Sequence, residues 1–206
     1  MIEFIIGTSL AASAGLNAWI PLFLLGLADR VLPAMELPSS WSWLSSDLSL
    51  WILGGLLLLE IVADKIPALD SVNDVIQSIL RPASGGIAFG AGSGAQTIAV
   101  DDPAAFFTDN AWVPVVVGIA IALIVHIVKA SARVAANTVT GGLAAPVLST
   151  AEDGASFALA AAAIIVPVLA AVLLVGLVVV VVVGLRRLAR RRRENGSGQS
   201  AGRVQT

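Results

Sequence analysis

The sequence has no cysteine, one histidine and only 13% charged residues in a chain of 206. Without cysteine there is no disulfide, no thiolate nucleophile and no thiolate metal site. One histidine and no cysteine exclude a zinc centre of ordinary composition, although carboxylates suited to Mg²⁺ or Ca²⁺ are present. No metal and no cofactor is assigned from these residues. The G-x-S-x-G and H-E-x-x-H motifs are missing, as is the aspartate-rich pair expected of prenyl or alcohol phosphotransfer. No Lys or Arg precedes Arg30, so the basic start of a cleaved signal is missing too; Ala12-Ser13-Ala14 resembles a cleavage site, but the apolar stretch runs past it and reads as a retained first membrane helix. The low charge itself is the strongest exclusion. Soluble domains carry about 25% charged residues, so a soluble enzyme domain is ruled out.

What is present is apolar. Hydrophobic residues make up 57% of the chain, mean hydropathy is +0.92, and one core of this length cannot bury that much apolar surface. The expected class is an all-α integral membrane protein with five or six transmembrane helices, at home in the cell membrane as a multi-pass protein. Charge is unevenly spread: residues 186 to 206 hold seven of the twelve basic residues and one of the fourteen acidic ones. The cluster from Arg186 to Arg193 marks a disordered, basic, cytoplasmic tail that follows a single polytopic membrane domain at 1–185. That tail can meet anionic lipid in the bilayer. Nucleic acid is not an expected partner, since no aromatic residues are interleaved with the arginines.

Along the chain, Phe4 to Ala28 is long enough to span, because about 20 residues at 1.5 Å each cross the hydrocarbon core. Asn17 and Pro21 are expected to break it. A polar connection with Trp41 and Trp43 leads to a second span from Leu48 to Asp64, ended by Pro67. Residues 71–80 alternate apolar and polar faces at helical spacing and predict one short amphipathic interfacial helix, started by Asp70 or Ser71 and stopped by Arg81-Pro82. Ala83 to Val100 carries Gly86, Gly90 and Gly94, a doubled G-x-x-x-G face on which another helix can pack closely, within the chain or in a homo-oligomer. The run Gly90-Ala91-Gly92-Ser93-Gly94 is glycine-rich but lacks the lysine and the strand-turn-helix context of a nucleotide loop. An acidic loop with Asp101, Asp102 and Asp109 precedes a span from Trp112 to about Val128. Residues 134–151 read as a sixth crossing, a re-entrant segment or a surface loop. The final span is Gly154 to Leu185. Six crossings place Lys65, Arg81, Lys129, Arg133 and the tail on the cytoplasmic side, in keeping with the positive-inside rule; five place those four outside, which is acceptable only if they belong to a site.

Two helix ends concentrate the ionisable residues. Glu60 and Asp64 are four apart and share a face, with Lys65 next. His126, Lys129 and Arg133, spaced three and four apart, share another within about 60° at 100° per residue. One antiparallel crossing separates the two helices, so they run parallel and their charged ends meet at the same side of the membrane. Ionisable groups in spans cost about 2.5–3.5 kcal/mol each on insertion scales and persist where they pair or face water. These six form the expected site for substrate or ion, with Lys129 and Arg133 as anion ligands and Glu60 or Asp64 as carriers of a proton or cation. The plainer alternative is that they snorkel or pair and only set helix register. A second tier comprises Asn17, Asp70, Asp74, Arg81, Ser149, Glu152 and Asp153, the last three also readable as the cap and acidic first turn of the final helix.

Taken in order, Gly15-Leu16-Asn17-Ala18 with Pro21, Leu59-Glu60 with Ala63-Asp64-Lys65 and Pro67, Asp70, Asp74, Arg81-Pro82, His126, Lys129-Ala130, Arg133, and Ser149 with Glu152-Asp153 resemble a small prokaryotic membrane family known as domain of unknown function 4126. The resemblance covers about residues 10–167. It implies a multi-span membrane protein whose shared polar set is the one above, and it supplies no activity. The expected function is a small transporter or channel-like carrier for an ion, small anion or lipid head group. The alternatives are an intramembrane lipid-modifying enzyme with Glu60 or Asp64 as general base, and a scaffold or accessory subunit packing through the glycine face.

Overall fold

The break in the first apolar stretch falls where the sequence suggests. In the computed structural model, which describes residues 1–97, 100, 112–180, 182, 183 and 186, and only the backbone of 67–74, helix α1 (Ile2–Leu16) stops as Asn17 turns extended at φ −143°, ψ 124°. Helix α2 (Ile20–Val31) starts with Pro21 in its first turn, where a missing N–H costs nothing. Asn17, not Pro21, makes the break: its Oδ1 accepts the N–H groups of Trp19 at 3.1 Å and Ile20 at 3.2 Å, the role of a capping side chain.

A 3₁₀ turn, Ser39–Ser45, leads into α3 (Asp47–Ala63). Ser46 caps α3 by accepting the N–H of Ser49 at 3.2 Å, and Asp47 suits the positive end of the helix dipole. The remaining helices are α4 (Pro67–Ser93), α5 (Trp112–Thr140), α6 (Ala145–Ile165) and α7 (Pro167–Val180). Among the described residues β-structure amounts to two isolated bridges, Glu36 with Gln96 and Thr97 with Val100. Met1–Leu174 form one compact unit, which carries everything below.

Three sequence expectations change here. Arg81-Pro82 does not stop a short interfacial helix: α4 runs through Pro82 for 27 residues. A mid-helix proline costs about 3 kcal/mol, but this one is held from both sides. The Arg81 side chain is wholly buried in ion pairs, and the helix beyond packs against α1 and α5. Residues 134–151 are not a separate segment. They are the end of α5, a turn in which Gly141 and Gly142 take φ of 63° and 89°, and the start of α6. The left-handed pair, which glycine adopts without the Cβ penalty, ends α5 and reverses the chain. The final apolar stretch is likewise not one helix. Val166 turns out of helical geometry at φ −139°, ψ 78° before Pro167, as residues preceding proline tend to.

The core is built on small residues. Helices α4 and α5 cross backbone to backbone: a methyl group on Gly118 would lie 2.3 Å from the Gly85 carbonyl oxygen and 2.5 Å from Phe89 Cβ. Gly15 brings α1 equally close to the Ala122 carbonyl and Val125 of α5. The predicted glycine face is filled from within the chain, Gly86 by Val115 and Ile119, Gly90 by Trp41 and Gly94 by Pro38. Helix α6 covers α1 and α2.

Large apolar side chains point outward. Trp51, Leu58, Leu59 and Ile124 are each more than 60% exposed, while Glu60 of α3 and His126, Lys129 and Arg133 of α5 are buried. Two helices, α5 and α6, are long and apolar enough to cross a membrane, and a third crossing arises if the 3₁₀ turn and α3, bent by 63°, count as one. The acidic loop and the arginine tail beyond Arg186 lie outside the described residues, as do the side chains of Asp70 and Asp74.

Candidate functional site

The gap between α1 and α2 leaves helix-end backbone groups without partners, and charged side chains fill it. Lys129 on α5 donates from Nζ to the Leu16 carbonyl at 2.6 Å. Glu60 on α3 accepts the Ala18 N–H at Oε2, 3.2 Å. A cation thus sits at the C-terminal, electronegative end of α1, and an anion at the N-terminal, electropositive end of α2. Sequence reasoning missed both backbone partners; the asparagine-proline pair was their only signal.

Around this break the six first-tier residues come together, though not as one cavity of free ligands. Arg81 Nη2 donates to Glu60 Oε1 at 2.9 Å and lies 3.7 Å from Asp64. Arg133 Nη2 lies 3.6 Å from Asp64 and donates to Glu152 Oε2 at 2.5 Å. Lys129 Nζ is 3.0 Å from the same Glu152 oxygen and 3.9 Å from Asp64. Lys65 Nζ reaches Asp153 at 3.4 Å, and Asn17 Nδ2 donates to the other oxygen of that carboxylate at 2.9 Å. The result is a cluster of four carboxylates and four cations, contributed by α3, α4, α5, α6 and the two residues after α3, with the Lys65–Asp153 pair joined to the helix break through Asn17.

His126 belongs to it through Arg81. A guanidinium only donates, so the 3.3 Å contact from Arg81 Nη1 makes His126 Nδ1 the acceptor; Nε2 then carries the proton toward Ser78 Oγ at 3.2 Å. Both ring nitrogens are engaged. Among the described residues no group of three His, Asp or Glu side chains is arranged to hold a metal ion, and each carboxylate of the network faces a protein cation instead.

Two second-tier readings change. Glu152 and Asp153 do not open the last helix: α6 starts at Ala145, with Ala144 at its cap and no capping side chain. They lie two turns in and face the network. Arg81 is not the end of a surface helix but its most buried cation, at 0% exposure. The missing signal was the continuity of α4 through Pro82, which turns residues 77, 81 and 84 into one inward face. Ser149 is fully buried on the same face of α6 as Glu152, and its Oγ has no partner.

A further polar contact stitches α1 to α6 above the network. Ser13 and Ser156 exchange hydrogen bonds with each other's carbonyls at 2.9 and 3.0 Å, their hydroxyls 2.8 Å apart. Asn17, one turn on from Ser13, has two jobs, so Asn17→Ala removes both the cap of α2 and the bond to Asp153. The expected cost is about 1–2 kcal/mol, read as a lower midpoint of tryptophan-fluorescence unfolding in detergent. Asn17→Asp keeps the cap yet sets a second carboxylate against Asp153, and is expected to be worse than alanine. An unchanged midpoint for both variants rejects the double role.

No curated protein and no solved structure matches the chain. The model of the family described as Domain of unknown function (DUF4126) matches residues 4–187, a stretch that includes every member of the network. The chain therefore belongs to the family of domain of unknown function DUF4126.

Proposed function

We propose that this protein is a multi-pass carrier of the cell membrane that moves an ion or small anionic compound through the buried ionic network. The observation that carries the reading is the interrupted helix pair α1–α2, whose two facing ends are met by Lys129 and Glu60 inside a charge-balanced cluster. Broken helices whose ends face charge are the usual material of carrier sites near the membrane midplane. With 15 residues before the break, α1 is about 22 Å long at 1.5 Å per residue, so the break sits well inside the bilayer.

Energetics support function over mere packing. Buried ion pairs seldom stabilise a fold more than apolar residues of the same size would, because desolvation offsets their attraction. Eight charges at this depth are a poor way to hold helices together and a good way to exchange partners. The scaffold alternative loses its main support, since the Gly86/Gly90/Gly94 face already packs within the chain. The enzyme alternative lacks a free base, as Glu60 and Asp64 both face cations.

The arrangement we favour has five crossings: α1 with α2, the 3₁₀ turn with α3, α4, α5, and α6 with α7. Arg30 and the arginine tail then share the cytoplasmic side. Lys65, Arg81, Lys129 and Arg133, being paired in the network, need not obey the positive-inside rule.

The test is charge movement on a solid-supported membrane with the purified protein in liposomes. Jumps of phosphate, acetate, chloride or pH are expected to give a current with at least one probe, reduced at least tenfold in Arg133→Ala. If none exceeds empty liposomes while the reconstituted protein stays folded, the carrier reading fails.

A further inference from the structure

The seat between Lys129 and Arg133 is already occupied by a carboxylate that belongs to the chain. Glu152 Oε2 lies 3.0 Å from Lys129 Nζ and 2.5 Å from Arg133 Nη2, the donor geometry a bound carboxylate would take up. The two sides of this contact differ. Lys129 and Arg133 side chains are 2% exposed, whereas the Glu152 side chain is 16% exposed. The cations are fixed deep in α5, and their occupant arrives on another helix from the more open side.

That helix is bounded at both ends by breaks in helical geometry. Before α6, Gly141 and Gly142 hold positive φ with no atom within 4 Å of where a side chain would begin. After it, Val166 leaves helical geometry ahead of Pro167. Helix α6 packs on α1 and α2 and barely on α5, so the Glu152 carboxylate is its principal polar link to α5. One turn earlier on the same face, the buried Ser149 hydroxyl has no partner, a donor in place for an oxyanion.

We propose that Glu152 is a tethered surrogate for the carried compound, and that this seat takes a small free monocarboxylate once α6 swings Glu152 away. The inference rests on the carrier reading and narrows its substrate. Charge selects the class: Lys129 and Arg133 bring two positive charges, Asp64 between them returns one, and Arg81 is matched by Glu60. A seat of net charge +1 fits a singly charged carboxylate and disfavours a dianion, which would remain uncompensated in a low-dielectric site. Planar carboxylates also suit the guanidinium fork of Arg133 better than spherical halides do.

Chemical rescue tests it. Glu152→Ala deletes the atoms of one acetate, so the variant is expected to unfold at lower temperature than wild type in detergent, and acetate at tens of millimolar to recover at least half of the lost midpoint. Sodium chloride and sodium sulfate at equal ionic strength are expected to recover none. A second variant, Glu152→Gln, keeps the shape and removes the charge; acetate is expected to bind it with a half-saturation at least tenfold below that for wild type, read from tryptophan fluorescence. Adding Arg133→Ala to either variant abolishes the acetate effect. Equal recovery by chloride, or no acetate effect in either variant, overturns the proposal. The two readings fail separately: currents in wild type without acetate rescue sink the surrogate alone, whereas rescue without any current leaves the seat and sinks the carrier.

Discussion

Arg81→Met is expected to destabilise the protein by about 3–5 kcal/mol, the usual result of removing one partner from a buried ion pair. Arg81 is entirely buried and serves Glu60, Asp64 and His126 at once. Methionine keeps most of the length and apolar volume of the stem, so the loss reports charge rather than a cavity. Glu60 is left deep in the helix bundle with the Ala18 N–H as its remaining described donor, a buried and uncompensated carboxylate. Adding Glu60→Gln to Arg81→Met removes that orphaned charge, so the double variant is expected to recover more than half of the loss. The pair then shows a coupling well above the few tenths of a kcal/mol of independent sites. The exposed pair of Arg30 and Asp47 serves as the control: Arg30→Met is expected to cost less than about 1 kcal/mol. The five tryptophans give a fluorescence signal for urea or thermal unfolding in detergent without any label. Equal midpoints for Arg81→Met and Arg30→Met would remove the network from the account of stability.

Gly118→Leu is expected to be the most damaging substitution outside the network. The first side-chain carbon alone would meet the Gly85 carbonyl oxygen at 2.3 Å and Phe89 Cβ at 2.5 Å. Backbone cannot swing aside as a flexible side chain does, so α4 and α5 must separate. Overpacking a well-fitted core costs about 1–3 kcal/mol, and here the added loss is alignment, because α4 carries Arg81 and α5 carries His126, Lys129 and Arg133. We expect little monodisperse protein from Gly118→Leu by size exclusion in detergent. Gly55→Leu, on α3 with nothing within 4 Å, is expected to purify like wild type. A well-behaved Gly118→Leu would mean that the close crossing of these helices does not hold the site together.

Much of the site was legible because helical periodicity is local. The four-residue spacing of Glu60 and Asp64, and the three- and four-residue spacing of His126, Lys129 and Arg133, put each set on one face whatever the rest of the chain does. The break at Asn17 was legible for a similar reason, since asparagine caps helices and proline starts them. The limits of the glycine reading are equally physical. Gly86, Gly90 and Gly94 were visible as a repeat, but the tighter crossing uses Gly85 and Gly118, which are 33 residues apart and form no pattern.

By itself the sequence determined the helical class, the excess of apolar surface, the break after Leu16 and the two charged faces, all properties of composition or of spacing within one helix. Tertiary structure decided the rest. Arg81-Pro82 carries the local signature of a helix end, and only burial of the guanidinium between α3 and α5, with glycine-packed helix beyond, keeps α4 continuous across a proline. Glu152 and Asp153 carry the local signature of a helix start, and only the turn at Gly141–Gly142 begins α6 early enough to set them two turns inward, opposite Lys129, Arg133, Lys65 and Asn17. A charge in a membrane protein must find its counter-charge before it can be buried, and partners on separate helices are chosen by packing, which no local pattern encodes.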